Sequence, residues 1–154
     1  MRVVLIVRTD RGHHGGQLAF PGGRHDEHDA DLLATALREA EEEIGLRAAD
    51  VEVLGELEPV RSGPTNLDVH AFLGRIPAGL KWDINRTEVV EVLTPAVAEL
   101  WDPAARRELL FTSAGRPEGL LVDGIPVGER VLWGMTLRLL DGLVPRLLAG
   151  EWEV

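Results

Sequence analysis

The stretch from Asp31 to Gly45 constrains this chain more tightly than any other part of it. Residues Asp31 to Leu37 carry a helical pattern, and Gly45 stands where a C-terminal cap glycine belongs. At about 100° per residue with Leu33 as origin, Ala36, Leu37, Ala40 and Ile44 fall within about 60° of it. That stripe must be buried against a sheet or another helix. The last turn, however, carries Glu41, Glu42 and Glu43 at the negative end of the helix dipole. Each anion there costs roughly 0.3–1 kcal/mol, and the Glu39/Glu43 like-charge pair adds roughly 0.2–0.5 kcal/mol. A helix selected for stability alone would place Lys or Arg at these positions. A positive partner is implied, and a divalent cation is the economical one.

On the same projection Glu39, Glu43 and Glu42 fall near 240°, 280° and 180°, an arc of about 100° beside the stripe. Glu41 lies near 80° on the other flank and Arg38 near 140°. Glu39, Glu42 and Glu43 are therefore expected to converge, with Glu41 a bystander. The competing reading of such a charge run is a solvated helix face. Upstream, Gln17-Leu18-Ala19-Phe20-Pro21-Gly22-Gly23 is a short apolar run ending in a Pro-Gly-Gly turn. Glycines let the backbone approach a ligand closely, so a carbonyl there can face a metal.

The order of loop, glycine turn, amphipathic helix and Arg-Glu-x-x-Glu-Glu-x-Gly resembles the Nudix hydrolases. Their signature is Gly-x5-Glu-x7-Arg-Glu-U-x-Glu-Glu-x-Gly-U, with U aliphatic. Arg38, Glu39, Ala40, Glu42, Glu43, Gly45 and Leu46 match its second half. In the first half Gly23 lies one residue further from Arg38 than the pattern allows, and Asp29 replaces the first glutamate. The coenzyme A diphosphatase branch has the same departures. It also carries a Phe-Pro-Gly-Gly turn, here Phe20 to Gly23, and Ala-Leu-Arg-Glu-Ala-x-Glu-Glu, here Ala36 to Glu43. A second motif of that branch ends in His-x-Gly-Gln, matched by His14, Gly16 and Gln17 after a shortened basic loop. Val131-Leu132-Trp133-Gly134-Met135-Thr136 is similar to the branch's Val-Trp-Gly-Met-Thr run. The resemblance spans roughly residues 3 to 142.

The resemblance implies one Nudix domain over residues 1–154, an α/β/α sandwich with a mixed β-sheet and the loop-helix-loop. It implies attack by water on a phosphorus of a diphosphate linkage, with Mg²⁺ or Mn²⁺ as cofactor. Glu39 and Glu43, one turn apart, are the firmest metal ligands, with Glu42 and the carbonyl of Gly23 (or Gly22) as further ones. Arg38 orients the carboxylates. Glu39 and Glu88 compete as general base. Arg8, Arg11 and Gln17 are candidates for binding the phosphates of the substrate, guanidinium matching phosphate geometry. Coenzyme A or its acyl derivatives lead as substrate. ADP-ribose, NADH or a dinucleoside polyphosphate form the alternative, and a non-cleaving nucleotide-binding domain is the third reading.

Composition narrows the field. With 154 residues and 45% hydrophobic content the chain has room for a real core. Zero cysteines exclude disulfides, thiol catalysis and zinc-thiolate sites. A net charge of −10 argues against general nucleic-acid binding. No apolar stretch approaches a membrane span and no signal peptide is evident, so a cytoplasmic enzyme is expected. The five histidines, His13, His14, His25, His28 and His70, show no zinc spacing. Asp29 is expected to cap the acidic helix rather than to position the site.

Strands are expected over 2–7, 51–60, 67–76 and 87–93, and a short helix over 96–101. A hairpin is expected over 120–127, split at Asp123-Gly124. A long helix is expected over 131–148, kinked or ended by Pro145, with Trp133 and Met135 on its core side. Related chains carry a further strand before the one at Arg2. Its place is empty, or is taken by another segment or by a second chain in a homodimer.

Overall fold

The computed structural model describes residues 1–10, 15–62 and 66–153. Arg11, His13 and His14 lie outside them. At the centre is strand β1 (Leu5–Arg8), whose Leu5, Ile6 and Val7 are fully buried. Successive strand residues point to opposite faces, so an unbroken apolar run demands cover on both sides. Leu5 and Val7 pack with Leu18, Leu132, Leu137, Leu140 and Val144, while Ile6 packs on the other face with Ile44 and Val89. β1 pairs antiparallel with β2 (Leu18–Ala19) and with β7 (Val89–Leu93), and its register to β7 shifts between Val7 and Arg8. The residue left without a partner is Val90 of β7, so the local bend belongs to β7 just after Glu88 and Val89.

Helix α1 (Leu32–Ile44) covers the Ile6 face. Helix α3 (Gly134–Leu148) covers the Leu5/Val7 face. The helix–sheet–helix layering expected from sequence is thus present. Further antiparallel pairs join β3 (Glu52–Glu56) to β6 (Phe72–Arg75) and β4 (Val60–Arg61) to β5 (Asp68–Val69). Helix α2 (Val97–Leu100) follows β7 where a short helix was expected. A meander of β8 (Arg107–Ser113), β9 (Arg116–Val127) and β10 (Arg130–Trp133) leads into α3. Every strand pair among the described residues is antiparallel.

The expected long strands over 51–60 and 67–76 are each divided into two short ones. The hairpin expected at Asp123-Gly124 is also corrected, because β9 runs straight through it. Gly124 is there for close approach: a Cβ would lie 2.8 Å from the Leu132 carbonyl oxygen on the neighbouring strand. The long helix expected from Val131 begins only at Gly134, since residues 131–133 complete β10. Trp133 therefore sits at a strand end, its ring 5.1 Å from that of Phe111. Pro145 does not end α3, which continues to Leu148.

Candidate active site

α1 delivers the acidic residues, and its C-terminal end is built as the sequence suggested. The cap at the start is Asp31, whose carboxylate accepts from the Ala34 N–H at 2.7 Å. Gly45 closes the end in the left-handed conformation, its N–H donating to the Glu41 carbonyl at 2.9 Å. Backbone groups from a neighbouring loop answer the remaining carbonyls, Asp83 N–H to Ile44 and Asn85 N–H to Glu43, each at 3.0 Å. These N–H dipoles offset part of the negative charge that accumulates at this helix end.

The expectation that Asp29 caps the helix is corrected. With Asp31 in that role, Asp29 receives Arg38 in a two-pronged contact, Nε to Oδ1 at 2.8 Å and Nη2 to Oδ2 at 3.0 Å. The Asp26 N–H and the Thr35 hydroxyl also donate to Asp29 Oδ2, at 2.9 and 2.8 Å. The Arg38 guanidinium, followed by these other donors, holds the Asp29 carboxyl well below its ordinary range. His25 Nδ1 lies 3.0 Å from the Thr35 hydroxyl, and His28 Nδ1 2.7 Å from Asp26. Both histidines are exposed and make these contacts with near neighbours in the loop and helix start.

Arg38 also reaches the glutamates. Its Nη1 stands 3.1 Å from Glu39 Oε1 and 3.0 Å from Glu42 Oε2. Exposure is graded across the three box glutamates, 55% for the Glu42 side chain, 15% for Glu39 and 2% for Glu43. Glu43 was placed beside the buried stripe by the projection, yet it lies inside it. Its Oε2 accepts from the Gly22 N–H at 3.0 Å, and its Oε1 is 4.0 Å from Arg8 Nη1. Burial pushes its carboxyl up to about 7, with the charges of Glu39 and Glu88 adding and the Gly22 N–H and Arg8 opposing. Glu39 lies directly over Gly23, where a Cβ would fall 2.3 Å from its carboxylate carbon. Glycine at 23 is what admits that carboxylate.

Among the described residues no three carboxylates or histidines already form a metal shell. Arg38 gathers Glu39 and Glu42, while Glu43 turns inward to Gly22. The donors are nevertheless suited to one kind of ion. They are carboxylate and peptide oxygens with no sulfur, and the cradle is kept open by a missing Cβ at Gly23. That chemistry suits hard, oxygen-seeking divalent cations.

Glu88 approaches from the turn before β7, where the Thr9 N–H donates to its carbonyl at 2.8 Å and the Asn85 side chain donates to its carboxylate at 3.1 Å. Gln17 flanks β1, its carbonyl accepting from the Arg8 N–H at 3.0 Å. The structure thus groups Arg8, Gly23, Arg38, Glu39, Glu42, Glu43 and Glu88 around the end of β1 and the end of α1. The sequence reading did not single out Thr35 or Asn85. Thr35 left a trace as a polar residue in an otherwise apolar stretch of helix; Asn85 left one in the Asn-x-Thr spacing that favours side-chain-bonded turns.

A protein-family model described as the NUDIX domain matches residues 1–111. The chain belongs to the Nudix hydrolase family. Its reading as an enzyme acting on phosphorus anhydrides stands with that membership, and Nudix hydrolases generally use divalent metal ions. The chain is 32% identical over 134 residues to the uncharacterized Nudix hydrolase NudL of Photorhabdus laumondii, covering 87% of this chain and 70% of that protein. Against NudL of Salmonella paratyphi B the identity is 36% over 130 residues, with 84% and 66% covered. The chain thus spans about two thirds of the length of these relatives.

Among solved structures, the Nudix hydrolase RenU from M. smegmatis is similar at a TM-score of 0.54 and 25% identity, over 64% of this chain and 62% of that one. The NUDIX domain of Shewanella oneidensis NrtR, solved with ADP ribose, gives a TM-score of 0.58 over 95% of this chain and 77% of that one. At 19% identity the latter likeness concerns the fold alone. No helix among the described residues is long and apolar enough to cross a membrane.

Proposed function

We propose that this chain hydrolyses the diphosphate linkage of coenzyme A or its acyl derivatives, giving 3′,5′-ADP and (acyl-)4′-phosphopantetheine. The observation that carries this reading is the clasp between the Phe20-Pro21-Gly22-Gly23 turn and α1. The Gly22 N–H holds the buried Glu43 carboxylate at 3.0 Å, and Glu39 lies over the bare Cα of Gly23. The Asp29–Arg38 contact supports it further, since Asp29 is a feature the chain shares with the coenzyme A branch. So do the motifs at His14-Gly15-Gly16-Gln17 and Val131–Thr136.

The carboxylates of Glu39, Glu42 and Glu43 with the Gly23 carbonyl would hold Mg²⁺ or Mn²⁺. When bound, such an ion neutralises phosphate charge and lowers the pKa of water. The residues of the chain do the rest. Asp29 fixes Arg38, and Arg38 sets the directions of Glu39 and Glu42. Glu88, on a turn bonded to the end of α1, accepts the proton of the attacking water as its oxygen bonds to phosphorus and the bridging P–O bond breaks. Glu39 competes for that role and is disfavoured by its contact with Arg38. The Arg8 guanidinium, 39% exposed and close to Glu43, is free to turn toward an anionic substrate. Gln17, beside Arg8, and Arg11, outside the described residues, complete the proposed substrate contacts. A chain without cysteine is suited to the reducing cytoplasm.

Product analysis by chromatography over coenzyme A, ADP-ribose, NADH and diadenosine polyphosphates tests the reading. Coenzyme A is expected to turn over with Mg²⁺ or Mn²⁺ and not in EDTA. A preference of about a hundredfold for ADP-ribose, some 2.7 kcal/mol in transition-state binding, would assign the chain to the other diphosphate class.

A further inference from the structure

The geometry points to Asn85 as the residue that positions the carboxylate of Glu88, an inference that rests on the reading of Glu88 as general base. Asn85 stands between the two halves of the site. Its N–H donates to the Glu43 carbonyl at 3.0 Å, joining it to the end of α1. Its own carbonyl accepts from the N–H groups of Glu88 and Val89 at 3.0 and 2.9 Å, closing the turn that leads into β7. Its side-chain Oδ1 accepts from the Thr87 N–H at 3.1 Å and from the Thr87 hydroxyl at 2.7 Å. Its Nδ2 donates to Glu88 Oε1 at 3.1 Å.

The orientation of that amide follows from its neighbours. A backbone N–H can only donate, so the atom facing Thr87 N must be the oxygen, and the atom facing Glu88 must be the amide nitrogen. The turn uses only the oxygen. An aspartate would close it equally well and would repel Glu88. The amide nitrogen therefore has no part in forming the turn; its one bond among the described residues holds an otherwise exposed carboxylate in a single direction. The Thr9 N–H on the Glu88 carbonyl and the Thr9 hydroxyl on the Thr87 carbonyl, at 2.8 and 3.1 Å, brace the same turn from the β1 side. The backbone of Glu88 is thus fixed from two directions and its carboxylate from one.

The test is Asn85→Asp, which keeps the turn oxygen and removes the donor. Asn85→Ser is a second variant that loses the amide without adding charge. Assays use coenzyme A and ADP-ribose with Mg²⁺, on whichever turns over. Asn85→Asp is expected to lower kcat about tenfold or more at a KM within about twofold of the parent, a positioning fraction of what a general base supplies. Its melting temperature should stay within about 2 °C of the parent. Asn85→Ser is expected to show the same kcat loss, smaller in size. Placed in a Glu88→Gln background, neither substitution should slow the enzyme further, because the group they aim is gone. Parental kcat in both Asn85 variants beside an impaired Glu88→Gln would overturn the positioning role and leave the base assignment standing. A loss confined to KM, or one that persists at full size in Glu88→Gln, would overturn it as well. Full activity in Glu88→Gln would remove the base assignment itself.

Discussion

Helices α1 and α3 lie on opposite faces of the same strand, yet they are built for different ends. α3 buries Leu137, Leu139, Leu140, Leu143, Val144 and Leu147 with Thr136. α1 buries Ala40 and Ile44 with Thr35 and Glu43. The first removes six aliphatic side chains from water at roughly 1.5–3 kcal/mol for each large one. The second includes a carboxylate whose burial is costly and whose charge is met, among the described residues, by a backbone N–H and a distant guanidinium. The cohesion of this chain therefore resides mainly on the α3 side. α1 is kept in register by its caps and by loop N–H groups at its end, and it uses that fixed position to hold anions where packing alone would not put them.

The contrast predicts that damage to the two helices separates cleanly. Glu43→Gln or Glu39→Gln should lower diphosphate hydrolysis at least about a hundredfold with the fold retained, the effect expected when a group that organises transition-state charge is lost. Steady-state rates with Mg²⁺, beside a circular dichroism melt, check this. Leu140→Ala should do the reverse. It should cost about 2–5 kcal/mol of stability in urea titration while the folded fraction keeps its kcat. If Leu140→Ala abolished kcat at full folding, or Glu43→Gln unfolded the chain, the division of labour would be wrong. Gly23→Ala sharpens the same point within the site. Its Cβ would fall on the Glu39 carboxylate, so hydrolysis should drop about tenfold or more with little change in melting temperature.

How much of this was legible from sequence follows from what each feature depends on. The end of α1 was readable because an apolar stripe and a terminal glycine are local signals. The sharing of one flank by Arg38, Glu39 and Glu42 was readable because it follows from helical spacing. The partner of Arg38 was not, since Asp29 and Asp31 are both suitable caps and only the path of residues 24–31 decides between them. The inward turn of Glu43 was likewise hidden, because it depends on a peptide 21 residues away. Asp123-Gly124 misled for a related reason. The dipeptide is a turn signal in isolation, but here the glycine answers to the neighbouring strand β10. Trp133 and its neighbours were assigned to the following helix because an apolar run of that kind suits strand and helix alike.

Titration of the metal-free protein probes the cost that α1 carries and α3 does not. The Glu43 carboxyl rises from its ordinary 4.5 to about 7 on folding. Between those values the folded state binds a proton that the unfolded state has released, so stability falls as pH rises through the window. The loss from this one group is on the order of 3 kcal/mol at its upper limit, complete above about pH 7. Glu43→Gln should therefore be more stable than the parent in EDTA at pH 8, and the gap should close toward pH 4.5. Added Mg²⁺ should narrow it too, by stabilising the parent alone. Chemical denaturation at several pH values measures the gap, and a strongly destabilised Glu43→Gln in EDTA at pH 8 would contradict the account.

The smallest effect distinguishes two aspartates only two residues apart. Among the described residues Asp31 bonds only the helix start, and its side chain lies on the surface. Asp31→Ala should cost about 1 kcal/mol of stability and leave kcat unchanged. Asp29→Asn keeps an oxygen for Thr35 or Asp26 but gives up the charge that anchors Arg38. Its stability cost should be of similar size, yet kcat should fall several-fold because Glu39 and Glu42 take their direction from Arg38. Equal kcat in the two variants would mean that the carboxylates find their positions without Arg38. The order in α1 would then come from the Gly22–Gly23 turn alone.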